Sequence, residues 1–247
     1  MKSNKEKIFF FILITIVSIS LFALFTQATP RGPTITFKAN STQADIPVNR
    51  TDDGGTINVI NLDITQQTGS WKAYVGNVSG SITLDDSDGH TIYDWSLTTI
   101  TGEVYAARNG SITWTNVICA NGSTIQGEEA SLNLTGTEVY SINLTFNETG
   151  KHQSFIMAGK NITLGSCYST ATYVNSSHQR PISDTSFFEE VLLQDGDKLI
   201  YSTIIENDAW HYRDTNTSNE TYDFQMIVGE SEAQATPNRY FFWVELG

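Results

Sequence analysis

The residues with the most definite chemistry in this sequence are asparagines that stand two positions before a serine or threonine. This spacing, without an intervening proline, is the acceptor site for N-linked glycosylation, which is used only where a chain crosses a glycosylating membrane and stays exposed. Random placement of the same residue types would give about four such sequons. The chain has twelve, at Asn40, Asn49, Asn77, Asn109, Asn121, Asn133, Asn143, Asn147, Asn161, Asn175, Asn216 and Asn219. This density predicts a glycoprotein, and the alternative is a Thr- and Asn-rich β protein that carries no sugar.

The two cysteines, Cys119 and Cys167, are 48 residues apart. In an oxidising exterior an isolated pair of this kind is expected to form a disulfide, which would stabilise the fold by about 4 kcal/mol in the chain-entropy model. Zinc binding is not predicted, because two distant thiols without a clustered histidine do not match zinc-ligand spacing. Two buried free thiols remain the alternative, since sequence alone does not give the distance between them.

Three aspartates in one short stretch, Asp85, Asp86 and Asp88, offer the hard oxygen ligands that suit a structural calcium ion. The stretch is not an EF-hand loop, because Leu84 and Trp95 would occupy the first and last ligand positions. A solvated hairpin turn is the competing interpretation, since aspartate and glycine are typical turn residues. No other cofactor is predicted.

The sequence contains no recognisable catalytic motif. Its four histidines stand in no recognisable catalytic or metal-binding arrangement, and no nucleophile elbow or phosphate-binding glycine loop occurs. The chain is therefore interpreted as non-enzymatic, although a glycosidase-like carboxylate pair could be formed in space by distant acids. Trp210, next to a polar segment, is the tryptophan best placed to stack on a sugar ring, whereas packing in the core is the usual role of tryptophan in a β domain.

The N-terminus favours export. Three lysines precede the uncharged stretch 8–25, and Thr26 and Ala28 provide the small residues of a cleavage site. Residues 1–28 are expected to be a signal peptide cut after Ala28, or a signal anchor that crosses the membrane through 8–25 if uncleaved. Either outcome places the domain 29–247 outside the cell or on its surface.

Charge limits the partners of that domain. Residues 29–247 hold 26 acidic and 11 basic side chains, a net charge of −15. Phosphate backbones and anionic lipid headgroups would be repelled, so nucleic acid is not an expected partner. Acidic charge that is dispersed along a chain usually serves solvation. The expected partners are other envelope proteins or cell-surface glycans.

Alternation with a period of two dominates the chain after the leader and predicts β-strands. In 140–147 it predicts a strand with its apolar residues inside and Asn143 facing solvent, and the same parity places Ile82 and Leu84 inside and Asn161 outside. Other predicted strands cover 34–38, 57–64, 71–75, 91–97, 104–107, 112–118, 190–193, 198–205, 222–228 and 239–246. Turn residues such as Asp195-Gly196-Asp197 separate them. The pattern predicts an all-β fold, an antiparallel β-sandwich or a partly closed barrel, after an N-terminal hydrophobic helix.

Several segments also resemble an uncharacterised group of exported, sequon-rich β proteins from small-genome archaea. The similar segments are WKAYVGNVSG at 71–80, ITLDD at 82–86, YDWS at 93–96, GEVYA at 102–106, YDFQMIV at 222–228 and VEL at 244–246. The resemblance spans most of the chain from about residue 55 onward. It implies an archaeal envelope setting and transfers no activity, cofactor or functional residue.

Together these features predict a non-catalytic secreted or cell-surface glycoprotein with an envelope or cell-contact role. An extracellular carbohydrate-binding module is the alternative, with a secreted hydrolase as a third class.

Overall fold

The computed structural model describes residues 29–43, 50–62, 64–148, 150–175, 182, 187–213, 220–231 and 236–247. The predicted leader, 1–28, lies outside these residues. Among the residues that are described, no helix is both long and apolar enough to cross a bilayer.

Strands make up most of the regular structure in the described residues. They are β1 (Trp71–Gly76), β2 (Ile82–Asp85), β3 (Thr91–Trp95), β4 (Gly102–Ala107), β5 (Ile118–Cys119), β6 (Phe155–Met157), β7 (Lys160–Ile162), β8 (Ser169–Ala171), β9 (Glu189–Asp195), β10 (Lys198–Ile204), β11 (Phe224–Gly229) and β12 (Phe241–Leu246). The helices are α1 (Gly122–Ser131) and α2 (Ile142–Thr145), with a 3₁₀ turn at Trp114–Asn116. Every strand pair is antiparallel, so the predominantly β prediction is confirmed.

A six-stranded sheet forms the centre, in the order β12, β4, β10, β9, with β5 and β8 both beside β9. All seven residues of β9 are buried. A tight turn joins β9 to β10 at Gly196, whose φ of 66° is left-handed and costs glycine little. The turn predicted at Asp195-Gly196-Asp197 is therefore confirmed. The described strands leave the sheet open rather than closing it into a barrel.

Both faces of the central sheet are covered, because successive strand residues point to opposite sides. One face packs against α1, α2 and the β1–β11 pair through Val104, Ala106, Leu192 and Tyr201. The other packs against the β6–β7 hairpin and the 3₁₀ turn through Tyr105, Val191, Leu193 and Ile200. One apolar cluster on each side of the central sheet thus stabilises the fold.

The disulfide expected from the two cysteines is present. Cys119 ends β5 and Cys167 stands just before β8, with their Cα atoms 5.1 Å apart. β5 pairs with the C-terminal half of β9 and β8 with its N-terminal half. The backbone of Leu192 marks the changeover, because it accepts the N–H of Ala120 and donates to the carbonyl of Tyr168. The disulfide therefore joins two short strands into one edge of the sheet.

The strand predicted at 140–147 is wrong, because this segment contains the short helix α2. Ile142 and Phe146 are buried, and their spacing of four fits one helix face as well as it fits alternate strand positions. The Ser141 hydroxyl accepts the N–H of Leu144 at 3.3 Å and starts the helix, while Leu144 points outward and is exposed. Periodicity over so short a run did not separate the two structures.

The helix α1 was not predicted at all. It carries no continuous apolar stripe and includes Gly122 and Gly127, both of which lower helix propensity. Its start is fixed by the side chain of Asn121, which accepts the N–H of Thr124 at 2.9 Å. Burial of Ile125 against the central sheet then holds the helix in place.

Several apolar segments are exposed where the sequence predicted burial. The stretches 34–38 and 57–64 form no strand in their described residues, and residue 63 lies outside them. The β2–β3 hairpin does form, yet Ile82 and Leu84 are 43% and 55% exposed, so their predicted inward placement is wrong. The strand predicted at 112–118 is replaced by the 3₁₀ turn and the two-residue β5.

Candidate functional site

The sequon asparagines lie mainly on the surface. Nine of the twelve are described, and Asn49, Asn216 and Asn219 are not. Exposed side chains belong to Asn40, Asn77, Asn109, Asn121, Asn133, Asn147, Asn161 and Asn175. Asn143 is half-buried in α2 rather than on an outward strand face. These sites follow strands, flank helices or, like Asn161, stand within a strand, so they are distributed over several elements.

Two of the exposed sequons also have structural roles that are compatible with a glycan. The Oδ1 atom of Asn121 caps α1, and the Oδ1 atom of Asn109 accepts the N–H of Ser111 at 2.8 Å. An N-linked sugar is attached to the amide nitrogen, which leaves the oxygen free to accept these bonds. A shallow depression of about 320 Å³ at the start of α1 is lined by Asn121, Thr124 and Asp197, among others. A glycan on Asn121 would project beside it.

The aspartate stretch forms the exposed turn of the β2–β3 hairpin. Asp85 accepts the hydroxyls of Thr91 and Thr83 at 2.6 and 2.8 Å, and these bonds lower its pKa. Asp86 accepts the backbone N–H groups of Asp88 and His90 at 2.9 and 2.8 Å. Bonds from His90 likewise lower the pKa of Asp86.

The groups that this turn gathers differ from the predicted calcium set. Ligand atoms of Asp86, Asp88 and His90 lie within 4.8 Å of one another, whereas Asp85 is turned toward the two threonines. Turn formation already accounts for the contacts of Asp85 and Asp86, and all three clustered residues are exposed.

Trp210 is an exposed aromatic residue on a loop, as are Tyr173 and Tyr212. These three residues are called the aromatic surface. These side chains are 43%, 47% and 46% exposed. Gln225 of β11 fixes the two loops that carry them: its amide oxygen accepts the N–H of Tyr212 at 2.7 Å, and its amide nitrogen donates to the carbonyl of Tyr173 at 3.0 Å. The buried ring of His211 packs edge-on against Tyr222 with their centroids 4.8 Å apart. Trp210 is therefore a surface residue on a supported loop.

The other tryptophans divide between packing and exposure. Trp114 and Trp243 contact each other with ring centroids 5.5 Å apart, and Trp71 donates from its indole nitrogen to the carbonyl of Tyr140 at 2.7 Å. Trp95 is 47% exposed on the β2–β3 hairpin, where its ring lies 4.8 Å from that of Tyr93. Packing is thus the role of three tryptophans, while Trp95 and Trp210 face solvent.

A pair of buried carboxyl groups lies at one end of the β4–β12 ladder. Glu103 and Glu245 are directly opposite each other and are only 5% and 6% exposed. The hydroxyl of Tyr105 lies 3.4 Å from one carboxyl and 3.3 Å from the other, and the N–H of Ala158 donates to Glu245 at 2.8 Å. Sequence could not find this pair, because its members are 142 positions apart.

Burial decides the protonation of this pair. Burial, followed by the nearby charge of Glu245, raises the pKa of Glu103 to about 8. At neutral pH Glu103 therefore holds a proton. Burial also raises the pKa of Glu245, and the hydrogen bond from the Ala158 N–H opposes this rise. The Tyr105 hydroxyl lies between the two carboxyl groups, and their burial leaves almost no surface that a substrate could reach.

Other buried acids join separate elements of the fold by accepting backbone N–H groups. Glu190 accepts from Ile227 at 3.0 Å, Glu189 from Gln153 at 2.7 Å, Glu129 from Asn143 at 2.9 Å, and Asp223 from Val78 at 2.7 Å. All four are at most 5% exposed. Part of the acidity that the sequence assigned to solvation is thus structural. The adjacent acids at the start of β9 are the only sequence signal that could have indicated it.

The described histidines also have structural surroundings. The ring of His152 accepts the N–H of Cys167 through Nε2 at 3.0 Å and donates from Nδ1 to the carbonyl of Gln153. Burial lowers the pKa of His152, which favours this neutral form. His90 belongs to the aspartate turn, and His178 lies outside the described residues.

No family model, curated protein or solved structure matches this chain.

Proposed function

We propose that this chain is an exported, non-catalytic glycoprotein of the cell surface, with a role in the envelope or in contact between cells. The observation that carries the proposal is the exposure of eight of the nine described sequon asparagines. Glycan acceptors must be exposed, and these asparagines meet that condition, as asparagine does in most proteins. The disulfide and the hydrophobic leader support the same oxidising, extracytoplasmic setting.

The layers of the fold suit such a role. We propose that the described domain is a β-sandwich in the broad sense, with the central sheet covered by the β1–β11 pair on one side and by the β6–β7 hairpin on the other. The resemblance to exported archaeal β proteins supports an envelope location. Other envelope proteins or cell-surface glycans are the proposed partners, reached through the exposed surface.

Site-directed loss of one sequon tests the proposal. Asn161 is exposed on β7 within a sequon, and Asn116 is an exposed asparagine outside one. In a host that exports and glycosylates the chain, Asn161→Gln should reduce the intact mass by one glycan, whereas Asn116→Gln should leave glycan mass unchanged. An Asn161→Gln product that keeps the full mass would show that this sequon is unused, and an unmodified wild-type chain would defeat the proposal as a whole.

A carbohydrate-binding module is the second candidate, favoured by the aromatic surface. Tyrosine and tryptophan rings that keep about half their area in solvent, on loops held by Gln225, are suited to stacking on sugars. Trp210→Ala should abolish retention on a polysaccharide column. Trp95→Ala, which removes an equally exposed indole elsewhere, is the matched control and should leave retention unchanged. Equal losses in both variants, or no retention of the wild type, would remove this candidate.

A further inference from the structure

The β2–β3 hairpin presents an apolar face that remains about half exposed in the described chain. Its pairing places Ile82 opposite Trp95 and Leu84 opposite Tyr93, so the four side chains share one face. They are 43–59% exposed. Within the described residues, β2 and β3 pair only with each other. Because a lone two-stranded hairpin is marginally stable in water, a third strand would stabilise it substantially.

The same chain carries an unused strand-forming segment, 34–38. Its sequence alternates Thr34, Ile35, Thr36, Phe37 and Lys38, and Ile35 and Phe37 are 67% and 74% exposed. The preceding Arg31 bridges to Val244 of the edge strand β12, after which the chain leaves the sheet. The segment therefore has the pattern of a half-buried strand without a partner strand among the described residues.

Length and charge match the segment to β3. Both are five residues long. If Ile35 and Phe37 join the face of Tyr93 and Trp95, the alternation places Lys38 on the opposite face, which carries Asp94. The hairpin stretch 82–95 holds four aspartates and no lysine or arginine, whereas 29–43 holds Arg31 and Lys38 and no acid. The segment and β3 thus each have one apolar face, and they carry charges of opposite sign.

The other exposed apolar stretch fits less well. In 57–64 the apolar residues change parity between Val59 and Ile60, so no single face is apolar, and the stretch has no basic residue. A strand formed from 57–64 would place apolar residues on both of its faces and would bring no basic side chain to the aspartates of the hairpin.

We propose that segment 34–38 of one copy adds as a strand to the outer edge of β3 in a second copy of this chain. Main-chain hydrogen bonds would supply the pairing, and the two alternating faces would supply its specificity. Donor and acceptor are different surfaces, so each copy can give one strand and receive another, and the contact extends into chains or closed rings. This deepens the proposed envelope role by naming a second copy as the partner, and it is independent of glycan occupancy.

Sedimentation of the exported full chain over a range of concentrations tests the proposal. The wild type should form species larger than a monomer, and their fraction should rise with protein concentration. Ile35→Thr with Phe37→Thr keeps strand propensity but removes both apolar side chains, so it should weaken association at least about tenfold. Ile57→Thr with Val59→Thr is the matched control, since those side chains are 96% and 94% exposed, and it should associate like the wild type.

A charge exchange tests the face assignment. Lys38→Glu should weaken association, and adding Asp94→Lys in the same chain should restore it. All of these positions are exposed, so the near-ultraviolet circular dichroism of each variant should match that of the wild type. A wild type that stays monomeric throughout would overturn the proposal, and so would association that survives the Ile35/Phe37 changes or falls equally with the Ile57/Val59 changes. Failure here with occupied sequons would leave the proposed function intact.

Discussion

The central strand β9 and the β2–β3 hairpin both form antiparallel pairs but have opposite surroundings. Every residue of β9 is buried, whereas every residue of β2 and β3 is exposed. Alternation therefore determines which residues share a face, but not what covers that face. In the sheet the cover comes from distant parts of this chain, and at the hairpin we propose that another copy adds a strand at the free edge of β3.

The acids of the two regions differ in the same way. Burial raises the pKa of Glu190 well above its ordinary value, although its carboxyl group accepts the N–H of Ile227. Hydrogen bonds from His90 lower the pKa of the exposed Asp86. The central sheet thus uses a buried carboxyl group to hold β11, and the hairpin uses an exposed one to shape a turn in solvent.

Of the changes considered, loss of the disulfide should destabilise the central sheet most. Cys119→Ser with Cys167→Ser should lower the free energy of unfolding by about 4 kcal/mol, because the unfolded chain regains the freedom of a long loop. Chemical denaturation monitored by circular dichroism measures the change. An unaltered midpoint would mean that the joined edge of β5 and β8 does not limit the stability of the sheet.

A pair of leucine truncations compares the two regions directly. Leu192 is fully buried in β9, whereas Leu84 is 55% exposed in β2. Leu192→Ala should cost about 3 kcal/mol of unfolding free energy, and Leu84→Ala in dilute monomeric protein should change it by less than about 0.5 kcal/mol. Denaturation under identical conditions gives both values. Similar losses in the two variants would contradict the exposed placement of the hairpin.

The pH dependence of stability should distinguish the buried carboxyl pair from the exposed turn. With its folded pKa raised to about 8, Glu103 contributes stability that is fully present below its unfolded pKa, near 4.5, and is lost as pH rises through 8. Across that range the loss for one group is about 1 kcal/mol per pH unit. Glu103→Gln should flatten the decline, although the raised pKa values of Glu190 and Glu245 would preserve part of it.

Asp86→Asn is the control for that pH dependence. The pKa of Asp86 is lowered, so its contribution is present above its unfolded pKa and is lost only as pH falls through the folded value. This variant should therefore leave the decline between pH 4.5 and 8 unchanged. A wild type whose stability rises over this range would refute the assigned protonation of Glu103.

Local signals explain which parts of the fold the sequence could predict. The turn at Gly196 could be predicted from its residue types, and the strands on either side of it from their short apolar runs, as could the disulfide from the two cysteines. Burial of the neighbouring acids Glu189 and Glu190 in β9 could not be predicted, because their partners, Gln153 and Ile227 of β11, are distant in the chain. The helix α1 depends on the Asn121 cap and on packing of Ile125, neither of which produces a periodic pattern.

The candidate surface features were only partly accessible from sequence. Each sequon is visible as a motif, but its exposure depends on the fold, as the half-buried Asn143 demonstrates. Trp210 could be singled out by its polar neighbours. The hydrogen bonds by which Gln225 fixes the nearby loops are visible only in the folded structure. The pairing of Glu103 with Glu245 depends on strand register across the sheet, which no local motif encodes.

Peptide mapping of the exported chain by mass spectrometry, without reduction, shows whether the protein is a disulfide-bonded glycoprotein. Glycan-bearing peptides are expected at exposed sequons such as Asn77, Asn133 and Asn161, together with a peptide linking Cys119 to Cys167. Unmodified asparagines at every sequon, accompanied by two alkylatable thiols, would contradict the proposed function.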